Sequence, residues 1–497
     1  MSRAQNILVL GLDKPYFQDK FDHLYSKHQN ISFYLSWNPI ESNLKISSLN
    51  RIDLSLLYNQ EKVFDAYKLD RKTVLDKPFL HSMYECETVF FSTIDRCSAF
   101  PKKITDHKNY FYDLLIFFKS FFEENNNIDH VFFPTTPHFP VDIVLFYVCK
   151  YFSINTIILN RTDFNNKFYF RSDWRKTPNF NNRYNYKSIK GISIKDLRND
   201  STFVKHSKNL NNASLNNFNK SKSSIRNFTE YFQLFRLSLY YFKHNKSASP
   251  FHLSKELSWI KIFNKIIIRH NQNKILTKFY QSKMSIPDLS VDYLYFPLHF
   301  QPERSTDPEG LYFSNQLRAI ELLRKNLDSS VRIYVKEHPR QFDQYGDADL
   351  RKLSSRTKVF YEKILDLKET YLVDLSFSSD TLIKNSKIIS TITGSSGWEG
   401  IKNLKPVIVF GKPWYTSYKW CYHVSSDIEV KEVINKVENI RYQVKTEDLN
   451  EFIEKINSEV FDGYIGSVYF NNEVDYYRLI IEYFTENLMI YLNSTGK

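Results

Sequence analysis

Residues 388–411 read Ile388-Ile-Ser-Thr-Ile-Thr-Gly-Ser-Ser-Gly-Trp-Glu-Gly-Ile-Lys-Asn-Leu-Lys-Pro-Val-Ile-Val-Phe-Gly411. Two apolar runs flank a Gly-Ser-Ser-Gly turn and a short segment that suits a helix, which predicts the order strand, turn, helix, strand. Such alternation is typical of a parallel α/β sheet. Glycine is scarce in this chain, yet four of its 11 glycines fall within this stretch. Their clustering indicates backbone that comes close to another group.

The same alternation of short apolar runs and longer mixed segments extends through both halves of the chain. In the second half, the predicted strands are 292–297, 331–336, 370–374, 387–393 and 406–410, and the tail from about residue 428 is predicted to be helical. In the first half, the predicted strands are 7–10, 31–35, 54–58, 130–133 and 155–159, with helices at 110–124 and 141–152. We therefore predict an α/β protein with Rossmann-like domains at 1–180 and 286–497. In such domains, ligands bind beyond the carboxyl ends of the strands.

Composition excludes several classes of protein. Hydrophobic residues make up 42% of the 497 residues, which is too many for a disordered or fibrous chain. The four cysteines form no CxxC pair, so neither a disulfide framework nor a zinc cluster is expected, and a reducing compartment fits. No signal peptide and no uncharged apolar run of about 18 residues is evident. We therefore expect a soluble or peripheral protein in the cytoplasm.

The positive charge is concentrated in one segment between the two halves. Residues 181–280 hold 19 Lys/Arg against 4 Asp/Glu, a net charge of +15, whereas the rest of the chain carries −2. A solvated linker explains this composition, and so does a surface for anionic lipid or an anionic acceptor. Aromatic residues interleave with the charges, which favours the second interpretation. We predict that a basic helical segment, residues 181–285, joins two facing domains.

The Gly-Ser-Ser-Gly turn is a candidate site for an anion. Ser395 and Ser396 fall where a helix is predicted to begin, and free N–H groups and the helix dipole favour an anion there. Gly394 and Gly397 allow a ligand to approach the backbone. Glu399, expected in the first turn, can accept hydrogen bonds from two ribose hydroxyls. The alternative is an ordinary helix cap followed by a glutamate that complements the dipole.

A second candidate is the run Ile333-Tyr-Val-Lys-Glu-His-Pro339. Proline cannot continue a ladder of hydrogen bonds, so His338 is predicted at the carboxyl end of a strand. A histidine or lysine there can hold a leaving phosphate and offset its growing charge. Lys336 shares a strand face with His338 because the two lie two residues apart. A structural loop histidine is the alternative.

Two further groups could act on substrates. The segment Glu303-Arg-Ser-Thr-Asp-Pro-Glu309 follows a predicted strand and offers carboxylates that could act at a sugar carbon. A turn with Asp307 as a helix cap is the stronger alternative on these residues alone. In the first half, His138 and Asp142 follow another strand and could face an interdomain cleft. A satisfied loop histidine and a helix-capping aspartate are equally consistent with that sequence.

Three motifs together resemble bacterial capsular polysaccharide biosynthesis proteins, a family that includes the β-Kdo transferases. They are Tyr295-Phe-Pro-Leu-His-Phe-Gln-Pro-Glu303, Tyr334-Val-Lys-Glu-His-Pro339 and Thr393-Gly-Ser-Ser-Gly-Trp-Glu399, the last followed by Lys405-Pro-Val-Ile-Val-Phe-Gly411. The chain also resembles CMP-sugar transferases with a His-Pro and a Ser-Ser motif, bacterial sialyltransferases among them. The similarity covers residues 290–420, is loose over 1–180 and is absent over 181–285.

The resemblance implies a GT-B-like fold in which the second domain holds a nucleotide-sugar donor, expected to be CMP-linked. It assigns the donor phosphate to His338, Ser395 and Ser396, with Lys336, Gly394 and Gly397 beside them, and the ribose to Glu399. Asp307 best matches the aspartate that acts at the anomeric carbon. His138, Asp142 and Glu303 would lie on the acceptor side. Neither a cofactor nor a metal is expected.

The function expected from these residues is transfer of an acidic, Kdo-like sugar to a lipid-linked or growing glycan. The basic segment could bring the enzyme to the anionic inner membrane. Two alternatives remain open: a phosphotransferase that uses a CDP-linked polyol, and a non-catalytic scaffold of the capsule machinery. Nucleic acid is not an expected partner, because the charge is local and no recognised binding module is evident.

Overall fold

The protein is described here from a computed structural model. It describes residues 6–12, 15–28, 30–70, 72–97, 103–164, 166–178, 180, 184–193, 196, 209, 211–216, 227–244, 259–342, 356–440, 444–463 and 474–495. We number the strands in chain order: β1 Asn6–Leu10, β2 Ile31–Ser36, β3 Asn50–Asp53, β4 Ile128–Phe133, β5 Asn155–Arg161, β6 Lys167–Arg171, β7 Tyr293–Pro297, β8 Arg332–Lys336, β9 Thr370–Leu372, β10 Ile388–Thr391, β11 Val407–Val409, β12 Cys421–His423 and β13 Phe461–Asp462.

The helices are numbered in the same way. They are α1 Pro15–His28, α2 Leu54–Leu57, α3 Lys77–Ser82, α4 Tyr84–Cys97, α5 Ile104–Glu124, α6 Pro140–Tyr151, α7 Asn227–His244, α8 Trp259–Lys283, α9 Gln316–Asn326, α10 Lys358–Leu365, α11 Ser379–Asn385, α12 Ser395–Lys402, α13 Asp427–Ile440, α14 Thr446–Asn457 and α15 Val474–Thr495. Short 3-10 turns at Leu311–Ser314 and Pro339–Phe342 follow β7 and β8, respectively.

Two compact units make up the chain. One unit contains residues 1–97, 101–202 and 453–497, and the other contains 98–100 and 203–452. Each is built around one sheet, and both sheets consist mainly of parallel strands. The predicted α/β class with two Rossmann-like units is therefore confirmed.

The sheet of the second unit has the strand order β12-β11-β10-β7-β8-β9, with every pair parallel. This is the doubly wound order of a dinucleotide-binding fold. Strands are added first on one side of the sheet and then on the other, and the change of side falls between the first and fourth strands along the chain. Here those strands are β7 and β10. Their side chains are buried on both faces, as expected for a parallel sheet covered by helices.

The first unit has the order β13-β6-β5-β4-β1-β2-β3. Strands β1 to β5 are parallel, whereas β6 pairs antiparallel with β5 and with β13. Its core joins Phe21 of α1 and Phe132 of β4 to Phe484 of α15, so the end of the chain completes this unit.

The structure corrects two expectations about the fold. Residues 54–58 do not form a strand: Asp53 accepts a hydrogen bond from the Ser55 backbone N–H at 2.8 Å and starts helix α2, while the strand is the preceding β3. Residues 286–497 do not form a single domain, because 453–497 belong to the first unit. The tail is also not wholly helical, since Phe461 and Asp462 form β13 against β6.

The segment expected to join the domains, 181–285, contains helices α7 and α8, but its described residues 184–193 form no helix. It is also divided between the units, with 181–202 in the first and 203–285 in the second. Helix α7 packs on α8, with the Trp259 Nε1–H donating to Ser238 Oγ at 3.0 Å. The end of α8 places Tyr280 in the core of the second unit. Within the described residues, no helix combines the length and the apolar character that crossing a membrane requires.

Candidate functional site

The candidate site lies at the carboxyl edge of the second sheet, where β7 and β10 are neighbours. The strand order changes side between these two strands, so the loops that leave them run to opposite faces of the sheet. The crevice between such loops is the usual ligand site of doubly wound folds. The loops after β7, β8 and β10 carry most of the residues that the sequence singled out.

The loop after β10 forms a cradle, residues 394–397, in which the backbone N–H groups of Ser395 and Ser396 are the candidate donors for a ligand. The Gly394 N–H donates to Thr391 Oγ1 and the Gly397 N–H donates to the Gly394 carbonyl oxygen. Helix α12 begins at Ser395, with Gly394 as its N-cap and no side-chain hydrogen bond at the cap. The first N–H groups of a helix have no intrahelical partner and attract anions. Ser395 is exposed and Ser396 is partly exposed, so their hydroxyls can add two donors. This geometry fits the predicted anion site.

Tyr415 braces this cradle from below. Its hydroxyl donates a hydrogen bond to the Gly394 carbonyl oxygen. A Cβ at Gly397 would lie only 2.3 Å from the same hydroxyl oxygen, so only glycine lets the tyrosine lie against the helix. The glycine at 397 therefore serves packing against Tyr415, a reason that the sequence did not reveal.

His299, at the start of the loop after β7, holds the cradle in place. The Thr391 hydroxyl donates to His299 Nε2 at 2.9 Å, and the Thr393 backbone N–H donates to the same nitrogen at 3.3 Å. The Gly394 N–H in turn donates to Thr391 Oγ1 at 3.2 Å. Because Nε2 accepts twice, the proton of the neutral ring is on Nδ1, which faces Ser305 Oγ at 3.4 Å.

Burial keeps His299 neutral. Removal of the ring from water, together with the positive charge of Arg356, lowers the pKa of His299 to about 3. A cation at this position would also lose the two hydrogen bonds that Nε2 accepts. His299 was quoted within a motif but was not singled out as a site residue. Its place directly after a strand, the same signal that identified His338, could have found it.

His338 lies after β8, as predicted, and also has one defined protonation state. The Arg340 backbone N–H donates to His338 Nδ1 at 3.3 Å, so the proton of the neutral ring is on Nε2. Burial of the ring lowers the pKa of His338 to about 3, and neighbouring cations, Arg340 foremost, add to the effect. The side chain is partly exposed, which leaves Nε2–H as a neutral donor at the edge of the sheet.

One dipeptide connects His338 with the cradle. His299 contacts the residues that support Gly394, and the ring of the next residue, Phe300, lies 5.5 Å from the ring of His338. Since β7 separates β8 from β10, the two strand ends are about 10 Å apart. The structure thus places His338, Ser395 and Ser396 in loops at one edge of the sheet, and their shared contact with one phosphate stays a prediction.

The loop with the candidate carboxylates is anchored over the same crevice. The Thr393 hydroxyl donates to the Ser305 carbonyl oxygen at 2.5 Å, and a Cβ at Gly310 would lie 2.9 Å from Ile392. Asp307 lies between these two anchors. It caps no helix, which contradicts the cap interpretation: the N-cap of α9 is Asn315 instead. Asp307 stays a candidate for the reacting carboxylate.

The other two carboxylates of this loop have partners within it. Glu303 Oε2 lies 3.5 Å from the Ser305 hydroxyl, and its backbone carbonyl accepts the N–H groups of Thr306 and Asp307. Glu309 forms an ion pair with Arg304 at 3.3 Å. The loop is therefore held together by its own hydrogen bonds and ion pair. The assignment of Glu303 to the acceptor side stays a prediction.

Lys336 and Glu399 have other partners. The Lys336 ammonium donates to the Phe377 carbonyl at 2.6 Å and to Ser379 Oγ at 2.9 Å, so it holds the loop after β9. Burial lowers the pKa of Lys336 to about 8. Glu399 forms an ion pair with Lys402 at 2.7 Å. It is the fifth residue of α12, so the expectation that it lies in the first turn, where it would complement the dipole, is wrong.

The candidates of the first unit lie after β4. His138 Nδ1 donates to the Thr136 carbonyl oxygen at 2.8 Å. Asp142 is buried in the first turn of α6, where Tyr58 donates to it at 3.4 Å, and the N-cap of this helix is Phe139. Asp142 is therefore not a helix cap. Both residues stay predictions for the acceptor side.

No three His, Cys, Asp or Glu side chains lie together in a way that could hold a metal ion among the residues that the structure describes. The cradle and His338 provide N–H and O–H groups that can donate hydrogen bonds to an anion. The donor set therefore fits a phosphate group.

Comparisons with known proteins identify a family for this region. Residues 228–425 match the family model described as capsule polysaccharide biosynthesis protein. No curated protein matches the chain. Among solved structures, the chain is similar to KpsC of Thermosulfurimonas dismutans, a β-Kdo 2,7 transferase, at 10% identity over 69% of this chain and 79% of that one, with a TM-score of 0.29.

A second solved structure is the UDP-GlcNAc 2-epimerase of Methanocaldococcus jannaschii, at 11% identity over 92% of this chain and 97% of that one, with a TM-score of 0.25. TM-scores this low carry no argument about function. The family match does not depend on them, and it spans every residue of the crevice described above. Over residues 228–425 the chain thus matches the capsule polysaccharide biosynthesis proteins. The match confirms the resemblance inferred from the motifs of 290–420, and it corrects the expectation that the similarity is absent throughout 181–285, because it includes residues 228–285.

Proposed function

We propose that the chain is a glycosyltransferase of capsular or surface polysaccharide biosynthesis. Its donor would be a CMP-activated acidic sugar, Kdo-like in character, and its acceptor a lipid-linked or growing glycan. The observation that carries this proposal is the crevice at β7, where neutral His338 and the 394–397 cradle are joined through His299 and Phe300. Such a site suits a phosphate that gains charge as it departs.

In this reaction the bond between the anomeric carbon and the phosphate oxygen breaks, and its electron pair stays on that oxygen. CMP leaves as a phosphate monoester. His338 donates a hydrogen bond from Nε2 to the phosphate, and the N–H groups of Ser395 and Ser396 share its growing negative charge. A hydroxyl of the acceptor bonds to the anomeric carbon and gives its proton to the Asp307 carboxylate or to the departing phosphate.

Asp307 is the carboxylate proposed to act at the anomeric carbon. It attacks that carbon to form a glycosyl-enzyme, or it assists the transfer as a base. Two observations support its nearness to the phosphate site: the bond from Thr393 to Ser305 and the close packing of Gly310 on Ile392. Both anchor the Asp307 loop to the start of the cradle.

Thermal unfolding with a panel of nucleotides tests the donor. CMP, CDP, UDP, GDP and ADP are compared, since a ligand at 100 times its Kd adds about 2.7 kcal/mol to the free energy of unfolding. We expect CMP to raise Tm, and His338→Ala to reduce that shift strongly while leaving a measurable affinity. His423→Ala is the matched control, because His423 ends the edge strand β12, three strands from β7.

The outcomes of this experiment, together with an assay of product formation, separate the candidate functions. A shift with UDP or GDP alone would keep a nucleotide site and overturn the CMP donor. No shift with any nucleotide would favour the scaffold. If the protein consumes a CDP-polyol and the acceptor gains a phosphate, the pyrophosphate bond has been broken, and the sugar-transfer proposal fails.

We propose further that helices α7 and α8 dock the enzyme on an anionic membrane surface. Phe232, Phe235, Leu239 and Phe242 follow the 3-4-3 spacing of one helix face, and each is between 38% and 56% exposed. The surrounding segment 181–280 carries the net charge of +15. An apolar face amid basic residues suits the interface of an anionic bilayer.

Flotation with vesicles tests this docking. We expect the protein to float with vesicles that contain phosphatidylserine. With vesicles of phosphatidylcholine alone, we expect the protein to remain at the bottom of the gradient. Phe232→Ser with Phe242→Ser should abolish flotation. Ile428→Ser, which replaces a residue that is 70% exposed on α13, is the control. Equal flotation of the double variant and the control would contradict the proposed surface.

A further inference from the structure

A buried ion pair lies directly beneath the His-Pro loop. Arg356 Nε lies 2.7 Å from Glu337 Oε2, and the two side chains are 1% and 0% exposed. Removal of two charges from water is costly unless their polar atoms find partners. The hydrogen-bond partners of Arg356 and Glu337 therefore show which loops this ion pair holds in place.

Arg356 reaches from the loop after β8 to the loop after β7. One terminal nitrogen donates to the His299 carbonyl oxygen at 3.0 Å, and the other donates to the side-chain oxygen of Gln301. Gln341, three residues after His338, reinforces this link. Its side chain exchanges hydrogen bonds with the backbone of Gln301, at 3.0 and 3.2 Å. The guanidinium group thus joins the two loops on either side of Phe300.

Glu337 fixes the backbone of His338. Its Oε1 accepts the His338 N–H at 2.7 Å, while Oε2 also accepts the Tyr361 hydroxyl at 2.7 Å. The Glu337 N–H donates to the Tyr280 hydroxyl at 3.2 Å, and that hydroxyl donates to the Val373 carbonyl at 2.8 Å. The peptide before His338 is therefore held on both sides by buried groups.

We infer that Arg356 is a positioning residue that acts through Glu337 on His338. It aligns the His-Pro loop so that Nδ1 of His338 accepts the Arg340 N–H and Nε2–H points to the crevice. Through His299 and Gln301, the same guanidinium sets the separation between His338 and the 394–397 cradle. The inference concerns the geometry of the site, and its consequence for donor binding rests on the proposed function.

The charges strengthen this role. Glu337 and Arg356 cancel each other, so the pair adds no net charge beneath a site for an anion. Loss of Arg356 alone would leave a buried carboxylate next to His338. That carboxylate would repel a phosphate and would favour protonation of the imidazole ring. Because a charged ring would attract the phosphate and offset part of the repulsion, the protonation state of His338 is the more direct readout of the loss of Arg356.

The first test needs no ligand. Nitrogen NMR of the protein with ¹⁵N-labelled histidine reports the tautomer of each ring, and His338→Ala assigns the signals of His338. We expect one neutral Nε2–H tautomer in the unmodified protein and a mixture of states in Arg356→Gln. Arg324→Gln is the matched control, because Arg324 donates to three backbone carbonyls before β8, at the opposite edge of the sheet.

The second test is a double-mutant cycle on nucleotide affinity. Arg356→Gln should weaken binding of the nucleotide that stabilises the unmodified protein by tenfold or more. It should add little once His338→Ala is present, because residues that act through one another are not additive. Tyr361→Phe removes only one bond to Glu337 and should show the same pattern with a smaller loss, in case Arg356→Gln does not fold.

The outcomes separate this inference from the proposed function. Unchanged His338 signals in both Arg356→Gln and Tyr361→Phe would overturn the positioning role, whatever binds in the crevice. Fully additive losses of affinity would overturn it as well. Altered His338 signals with no nucleotide binding to the unmodified protein would support the positioning role and refute the nucleotide donor.

Discussion

The cradle depends on a glycine that no side chain can replace, and Gly397→Ala tests this directly. The new methyl carbon would lie 2.3 Å from the Tyr415 hydroxyl oxygen, and 2.8 and 2.9 Å from two ring carbons. Separations under 3.0 Å require movement, and Tyr415 is buried and wedged beside Trp398 and Trp414. The tyrosine would have to leave its hydrogen bond to the Gly394 carbonyl.

The size of the effect follows from three contributions. Alanine is favoured over glycine within a helix by about 1 kcal/mol. Overpacking in a buried site costs about 1–3 kcal/mol, and the lost hydrogen bond costs about 1 kcal/mol. The net destabilisation is therefore about 1–3 kcal/mol. For a unit of this size, each kcal/mol lowers Tm by about 2–4 °C.

Gly400→Ala separates stability from function. Gly400 lies in the same helix, and a Cβ there would meet Ile389 at 2.8 Å, so its replacement also overpacks a buried contact. That contact involves hydrocarbon of the sheet and not the brace of the cradle. We expect both variants to lose similar stability, whereas only Gly397→Ala weakens nucleotide binding, by about tenfold.

Calorimetry of nucleotide binding and thermal unfolding of both variants measure the two effects. Tyr415→Phe, which removes the hydrogen bond without adding volume, should weaken binding by a smaller factor. The reasoning is refuted if Gly397→Ala binds nucleotide as tightly as Gly400→Ala does. It is equally refuted if Gly397→Ala is more stable than the unmodified protein, because helix propensity would then outweigh the clash.

Three other variants probe the fold. Burial lowers the pKa of Lys20 to about 7 from 10.5, so between these pH values the unfolded chain binds a proton that the folded chain does not, and stability rises with pH. At about 1.4 kcal/mol for each pH unit in this window, Lys20→Met should be more stable by about 4 kcal/mol at pH 7 and by less than about 1 kcal/mol near pH 10, as measured by urea unfolding. Lys336→Met loses the bonds to Phe377 and Ser379 and should destabilise the second unit by about 1–3 kcal/mol, yet change nucleotide affinity less than threefold by calorimetry. Asn315→Ala removes the cap of α9 and should cost about 1 kcal/mol in thermal unfolding.

The second sheet could be predicted from the sequence because its strands are buried on both faces. The run Val407–Val409 is apolar throughout, and Gly411 follows it closely. The edge strand Cys421–His423 has neither signal and was not predicted. Strand β3 lacks this signal: Asn50–Asp53 is a polar edge strand with one buried side chain. The strand was predicted instead at the neighbouring apolar residues Leu54–Leu57, which form a helix that Asp53 caps.

The return of the chain to the first unit has no local signal. Strand β13 is two residues long, and its pairing with β6 depends on a buried ion pair between Asp462 and Lys167, 295 residues apart. Helix α15 resembles any other amphipathic helix in its pattern. Only contacts that are distant in sequence decide which sheet the tail completes.

The site residues also divide into those that a local sequence signal identifies and those that only distant contacts identify. His338 and Ser395 could be found because each stands where a strand ends, and parallel strands bring their carboxyl ends to one edge. Arg356 could not be found in this way, since it lies outside every motif and its partners Glu337 and His299 are 19 and 57 residues away.

The charge of the crevice links these features. His338 and His299 are neutral, the charge of Arg356 is balanced by Glu337, and the ammonium of Lys336 is bound by the loop after β9. The groups that would face the proposed phosphate are therefore mainly N–H and O–H dipoles, whose strength depends on their direction, with Arg340 on the Phe300 ring as a neighbouring cation. A dipole that is fixed before the reaction stabilises the charge that develops on a departing phosphate without having to reorient. This is why rigid supports, Tyr415 beneath the cradle and the Glu337–Arg356 pair beneath His338, matter as much as the donors themselves.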